Sequence, residues 1–183
     1  MNETTSPQEL AKEGKSLYKR GDYQAAAQSF NAAAQGYTVA KDALNAAEMA
    51  NNCSVAYLQA DDAQAALDAV EGTDEIFAQA GDIRRQGMAV GNRAAALEAL
   101  ERLDEASEAY LQAAALLQQA GEDKLRADVM QSLSMLQFRS GRQLQALASM
   151  KSGIEGIEHP SARQKFIKKL LRIPFEMLNK NQP

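Results

Sequence analysis

The stretch Gly21-Asp22-Tyr23-Gln24-Ala25-Ala26-Ala27-Gln28-Ser29-Phe30 decides the fold, because weaker copies of it return at a fixed interval. A shift of 40 places Gly21 on Asp61, Glu101 and Gly141. The same shift carries Ala26 onto Ala66, Ala106 and Ala146, and the large apolar Phe30 onto Val70, Tyr110 and Met150. Four registers agree without a gap, and self-similarity at a period of this length is the mark of stacked supersecondary units.

Composition sets the class. The 183 residues are 45% apolar and only 5% aromatic, with no Trp, much Ala and four prolines. That balance suits one domain of closely packed helices, and alternating β-branched runs are absent, so the expectation is an all-α fold. The N-terminus lacks the basic and apolar regions of a secretory signal and no apolar run reaches membrane-spanning length, which makes the cytoplasm the expected location. Cys53 is the single cysteine, expected as a small buried hydrophobe rather than half of a disulfide or a metal ligand.

The formal charge of −4 hides an asymmetry: residues 1–158 carry 14 Lys and Arg against 23 Asp and Glu, and residues 159–183 carry 6 against 1. An acidic body argues against duplex nucleic acid as the partner, since phosphate neutralisation needs a clustered basic face.

Taken in order, residues 1–6 are polar and expected to be disordered. Ser6-Pro7 reads as an N-cap and a first-turn proline, opening a helix to about Arg20. Gly21-Asp22 breaks it, and Tyr23 to about Val39 forms an antiparallel partner with Ala26, Phe30, Ala33 and Tyr37 on its inner stripe. Further turns are expected at Ala40-Lys41-Asp42, Ala80-Gly81-Asp82 and Ala120-Gly121-Glu122, where the acids are placed to cap the following helices. Gly72-Thr73 predicts a local kink or weak turn in the second helix of the second unit. The period ends at His159-Pro160. An amphipathic segment follows, with Phe166, Ile167, Leu170, Leu171 and Ile173 on one side and Arg163, Lys165, Lys168, Lys169 and Arg172 largely on the other.

Gly14, Gly21-Asp22-Tyr23, Ala26, Phe30 and Ala33 stand where the tetratricopeptide repeat family places Gly, Gly-Asp-Tyr, Ala, an aromatic residue and Ala, and the first unit resembles that family best. The columns Gly14, Ser54, Ala94, Ser134 and Ala33, Thr73, Ala113, Gly153 are small, as close helix approach requires. The family's usual repeat is shorter and ends in a proline, where this chain has Thr38, Ala78 and Gln118. Its longer helices make it similar to the 40-residue repeat subclass of Pins-type adaptors. Another departure is the column Glu13, Cys53, Arg93, Leu133, where an apolar residue is usual; Arg93 is expected at a groove edge, its stem packed and its head in water. The resemblance implies an α-solenoid of four hairpins over residues 7–158, with residues 159–183 as a C-terminal capping helix.

No catalytic site is expected. The lone His159 belongs to no metal-spaced set, no Gly-rich phosphate loop is present, and His159 and Cys53 lie far apart in the register. No cofactor is expected either. The resemblance instead implies a concave groove lined by the first helix of each unit, in which an Asn amide bonds the backbone of a bound peptide. Asn52 and Asn92 hold that place in the second and third units, and Lys12 and Ser132 in the first and fourth. Neighbouring groove candidates are Lys15, Lys19, Glu48, Gln59, Arg85, Arg126, Met135 and Phe138. A chaperone-type carboxylate clamp is not expected, since only Asn52 fits it and its other places hold Ala11, Lys15, Met88 and Asn92.

The reading is a non-catalytic adaptor that takes a peptide or helix of another protein in its groove. The alternative is a self-assembling or membrane-surface scaffold acting through the basic C-terminal helix. That helix has three open roles: a cap over the last hairpin, a contact with anionic lipid, or a self-association or autoinhibitory element.

Overall fold

The computed structural model describes residues 5–155 together with residues 157, 162, 165 and 169. Among these residues the chain is all-helical: α1 (Pro7–Arg20), α2 (Tyr23–Val39), α3 (Ala43–Gln59), α4 (Ala63–Val70), α5 (Thr73–Gln79), α6 (Ile83–Ala99), α7 (Leu103–Gln119), α8 (Asp123–Arg139) and α9 (Gln143–Glu155). Most substantial helix contacts join chain neighbours, from α1 with α2 to α8 with α9, and α4 and α5 both pack on α3 and α6.

The turns keep a strict rhythm. Gly21, Lys41, Asp61, Gly81, Glu101, Gly121 and Gly141 all have positive φ, and each lies twenty positions from the last. At every one the next residue's N–H reaches back to a carbonyl five positions earlier, as in Asp22 to Leu17, Arg102 to Leu97 and Arg142 to Gln137. The positive-φ residue donates to the carbonyl three positions back, so each turn is a Schellman closure that satisfies the helix's last carbonyls. The residue that closes one helix also starts the next. Asp42, Asp62 and Asp82 accept N–H bonds from Asn45, Ala65 and Arg85. Ser6 forms a reciprocal capping box with Glu9.

Glu122 corrects one expectation. It makes no cap, because its longer side chain reaches sideways to Arg84 of α6, 2.6 Å away. Of the kink or weak turn expected at Gly72-Thr73, the structure has a turn that separates two helices: Gly72 takes φ 72° between α4 and α5, and Thr73 Oγ1 donates to the Val70 carbonyl at 2.7 Å.

Burial follows the 40-residue columns. Ala26, Ala66, Ala106 and Ala146 are all buried, as are Gly14, Ser54, Ala94 and Ser134, and Ala33, Thr73, Ala113 and Gly153. A Cβ added to Gly14 would stand 2.8 Å from the Phe30 ring, which is why α1 and α2 need a small residue there. Two apolar clusters form the interior. One joins Phe30, Tyr37, Met49 and Cys53 of α2 and α3 with Ala11 of α1, and the other joins Val90, Leu97, Tyr110, Leu133 and Leu136 of α6, α7 and α8. Ala47, Phe77 and Ala89 make a small bridge between them on α3, α5 and α6.

In the mixed column, Cys53 and Leu133 are buried and Glu13 is exposed. Arg93 is half-buried and its head pairs with Asp74 and Gln112. Residues 1–4 and His159 lie outside the described residues, as does the segment expected as a basic C-terminal helix apart from Ala162, Lys165 and Lys169, which are helical and exposed.

Candidate functional site

Two clefts open between helices that share a place in the 40-residue register. The first, about 260 Å³, is lined by Lys15, Tyr18 and Lys19 of α1, Phe30 of α2, and Asn52 and Val55 of α3. The second, about 240 Å³, lies between α6 and α8 and includes Met88, Asn92, Ala95, Tyr110, Asp128 and Ser132. Of the residues selected from sequence, Lys15, Lys19 and Asn52 meet in the first cleft, and Asn92 and Ser132 in the second.

The two Asn places differ in readiness. Asn52 lines the first cleft and makes no side-chain hydrogen bond with a described residue, which leaves its amide donor and acceptor without a partner there. Asn92 donates to Asn51 Oδ1 at 3.0 Å, and Asn51 in turn donates to the Ala47 carbonyl at 3.0 Å. Asn51 therefore fixes the orientation of Asn92 and leaves its carbonyl oxygen free of protein donors.

The remaining candidates lie outside both clefts. Arg85 bridges Glu48 and Asp82 at 3.3 and 2.6 Å and sits over the Phe77 ring, 5.3 Å from its centre. Its backbone N–H, followed by its guanidinium, holds the Asp82 carboxyl below the usual carboxylate range. Arg126 donates to the carbonyl and hydroxyl of Ser152 on α9 at 2.9 and 2.8 Å. Gln59 is exposed, and Met135 and Phe138 stand 57% and 65% exposed on α8.

Behind the second cleft, the Tyr110 hydroxyl donates to Glu98 Oε2 at 2.7 Å, and Arg139 donates to the other carboxylate oxygen. Burial first, and the Glu98 carboxylate second, push the Tyr110 phenol far above its ordinary range, so it remains a neutral donor. Burial likewise raises Tyr18, whose ring meets Tyr23 edge-on with centroids 5.2 Å apart.

A third cleft, about 560 Å³, opens on α4, α6 and α7 and is lined by charged residues including Asp68, Glu71, Arg93, Arg102, Glu105 and Glu108. It contains none of the selected residues. Much of its charge is already matched internally, through Arg102 with Glu105, Arg93 with Asp74, and Gln64 with Asp68.

Sequence reasoning missed Tyr18, Phe30 and Tyr110 as cleft residues, and the buried Asn51 as the support of Asn92. Asn51 was findable: the 40-residue shift sets it beside Gly91, one place before Asn92, where a neighbouring helix comes close. Each cleft combines an Asn amide with an aromatic ring; the first adds the ammonium groups of Lys15 and Lys19, the second the Asp128 carboxylate. The chain matches no protein-family model and no curated protein sequence.

Proposed function

We propose that the protein is a cytoplasmic, non-catalytic adaptor: a tetratricopeptide-like α-solenoid of four hairpins whose groove holds a peptide segment or helix of another protein, with the C-terminal segment as its cap. The observation that carries this reading is the pair of clefts between first helices of the repeat, one lined by Asn52 and the other by Asn92, with Ser132 in the second at the place Asn52 holds in the first. A ligand bound there meets a preorganised surface, so the scaffold loses little freedom on binding. Unit-to-unit links stiffen it: Arg84 to Glu122, Arg85 to Glu48, Asn92 to Asn51 and Arg142 to Asp104 each span 37 to 41 positions, about one repeat.

The test is affinity capture of partners with wild type, Asn52→Ala and the Asn52→Ala/Asn92→Ala variant. Captured proteins should be lost from both variants, while the folding stability of Asn52→Ala stays within about 1 kcal/mol, as for a surface change. Because Asn92 also satisfies Asn51, the single Asn52 variant is the cleaner comparison. Undiminished capture by both variants overturns the groove assignment.

A further inference from the structure

We propose that the cleft beside α1 docks an acidic peptide segment that carries a carboxylate side chain next to a large apolar one. This names the ligand class of the groove proposed above and rests on that reading. The argument starts from the cations. Among the described residues every arginine is engaged: Arg20, Arg84, Arg85, Arg93, Arg102, Arg139 and Arg142 with carboxylates, and Arg126 with Ser152.

Most lysines are not. Lys12, Lys15, Lys19, Lys41 and Lys124 make no ion pair or hydrogen bond with a described residue. Three of them, Lys12, Lys15 and Lys19, follow helical spacing on α1 and form one exposed stripe. Glu13 lies about 100° round the helix from Lys12, and the Glu9 carboxylate is held by Ser6. A body with a balance of −9 thus keeps an uncompensated positive strip at one place, and Lys15 and Lys19 stand on the rim of a cleft.

The cleft specifies the rest of the ligand. Its floor is the Phe30 ring, with Tyr18 and Val55 as apolar walls and the free Asn52 amide at its edge. Ammonium groups select a carboxylate, the floor selects an apolar side chain, and an amide suits a peptide backbone. The chain's own basic C-terminal segment carries the wrong charge for this place. The second cleft has Asp128 and no cation, which sets a direction: the ligand's acidic end lies toward α1.

The probe is a fluorescein-labelled peptide with Glu-Leu-Glu-Phe between Gly-Ser flanks, compared with its Gln-Leu-Gln-Phe counterpart by fluorescence anisotropy. Wild type should bind the Glu peptide at least about tenfold more tightly than the Gln peptide, with affinity falling as salt rises. Lys15→Gln/Lys19→Gln should weaken the Glu peptide by about tenfold or more, while Lys41→Gln/Lys124→Gln, which removes the same charge elsewhere, should leave it unchanged. No saturable binding up to about 1 mM, equal binding of the two peptides, or equal loss in both lysine variants each overturns the proposal. Loss of binding in Asn52→Ala without any effect of Lys15→Gln/Lys19→Gln sinks the charge assignment and leaves the groove reading standing. Vesicles of phosphatidylserine and phosphatidylcholine provide the remaining arm: if the α1 lysines govern vesicle binding and not peptide binding, the site is a lipid contact and the proposal fails.

Discussion

Cys53 sits in a column that elsewhere holds Glu13, Arg93 and Leu133, and its thiol is 2% exposed and donates to the Ala27 carbonyl at 3.3 Å. Burial pushes the thiol from its ordinary value of 9.0 to about 11. The unfolded chain therefore loses this proton first as pH rises. Stability from the buried thiol is complete below pH 9 and is lost between about pH 9 and pH 11. Urea denaturation of wild type across that window should show a decline that Cys53→Ala lacks, after allowing for the lower stability of the truncated side chain. A flat difference between the two proteins would show that the thiol ionises as readily folded as unfolded. Its burial was legible in the sequence, because a lone cysteine without metal-spaced neighbours belongs in a core. The bond between Asn51 and Asn92 was not, since it depends on how closely two helices 41 positions apart approach.

At the scale of elements, the seven positive-φ turns form an internal experiment. Four are Gly, while Lys41, Asp61 and Glu101 hold the same conformation with a side chain. A non-Gly residue there costs about 1–2 kcal/mol of backbone strain, against about 0.4–1 kcal/mol that Gly loses through the freedom of the unfolded chain. Glu101→Gly should accordingly stabilise the protein by up to about 1 kcal/mol, and Gly121→Ala should destabilise it by a similar amount. Denaturant midpoints of the two variants check both signs; a destabilised Glu101→Gly would mean that its side chain contributes more than its backbone costs. The helix boundaries were readable because turn residues and register agreed, and Gly72 announced the break between α4 and α5. Glu122 was misread as a cap for a geometric reason: one additional methylene and an arginine one repeat away redirected it.

Across the whole molecule, α8 leaves Met135 and Phe138 exposed where the corresponding Val55 and Leu58 of α3 are half-buried. If the C-terminal segment covers this end as proposed, removing residues 162–183 should lower Tm by about 5 °C or more, the scale expected when one or two large apolar side chains return to water. An unchanged Tm would remove the cap from the account. The meeting of Lys15, Lys19 and Asn52 could be read from the register, since all three fall on first helices of adjacent units. The pairing of Arg85 with Glu48 and of Arg126 with Ser152 could not, because these partners meet only once neighbouring helices are docked. The small bridge of Ala47, Phe77 and Ala89, set between two larger apolar clusters and beside a broken helix, has a kinetic consequence. Native-state amide exchange should resolve two cooperative foldons, α1–α3 and α6–α8, separated by a seam at α4 and α5 that opens at lower free energy than either.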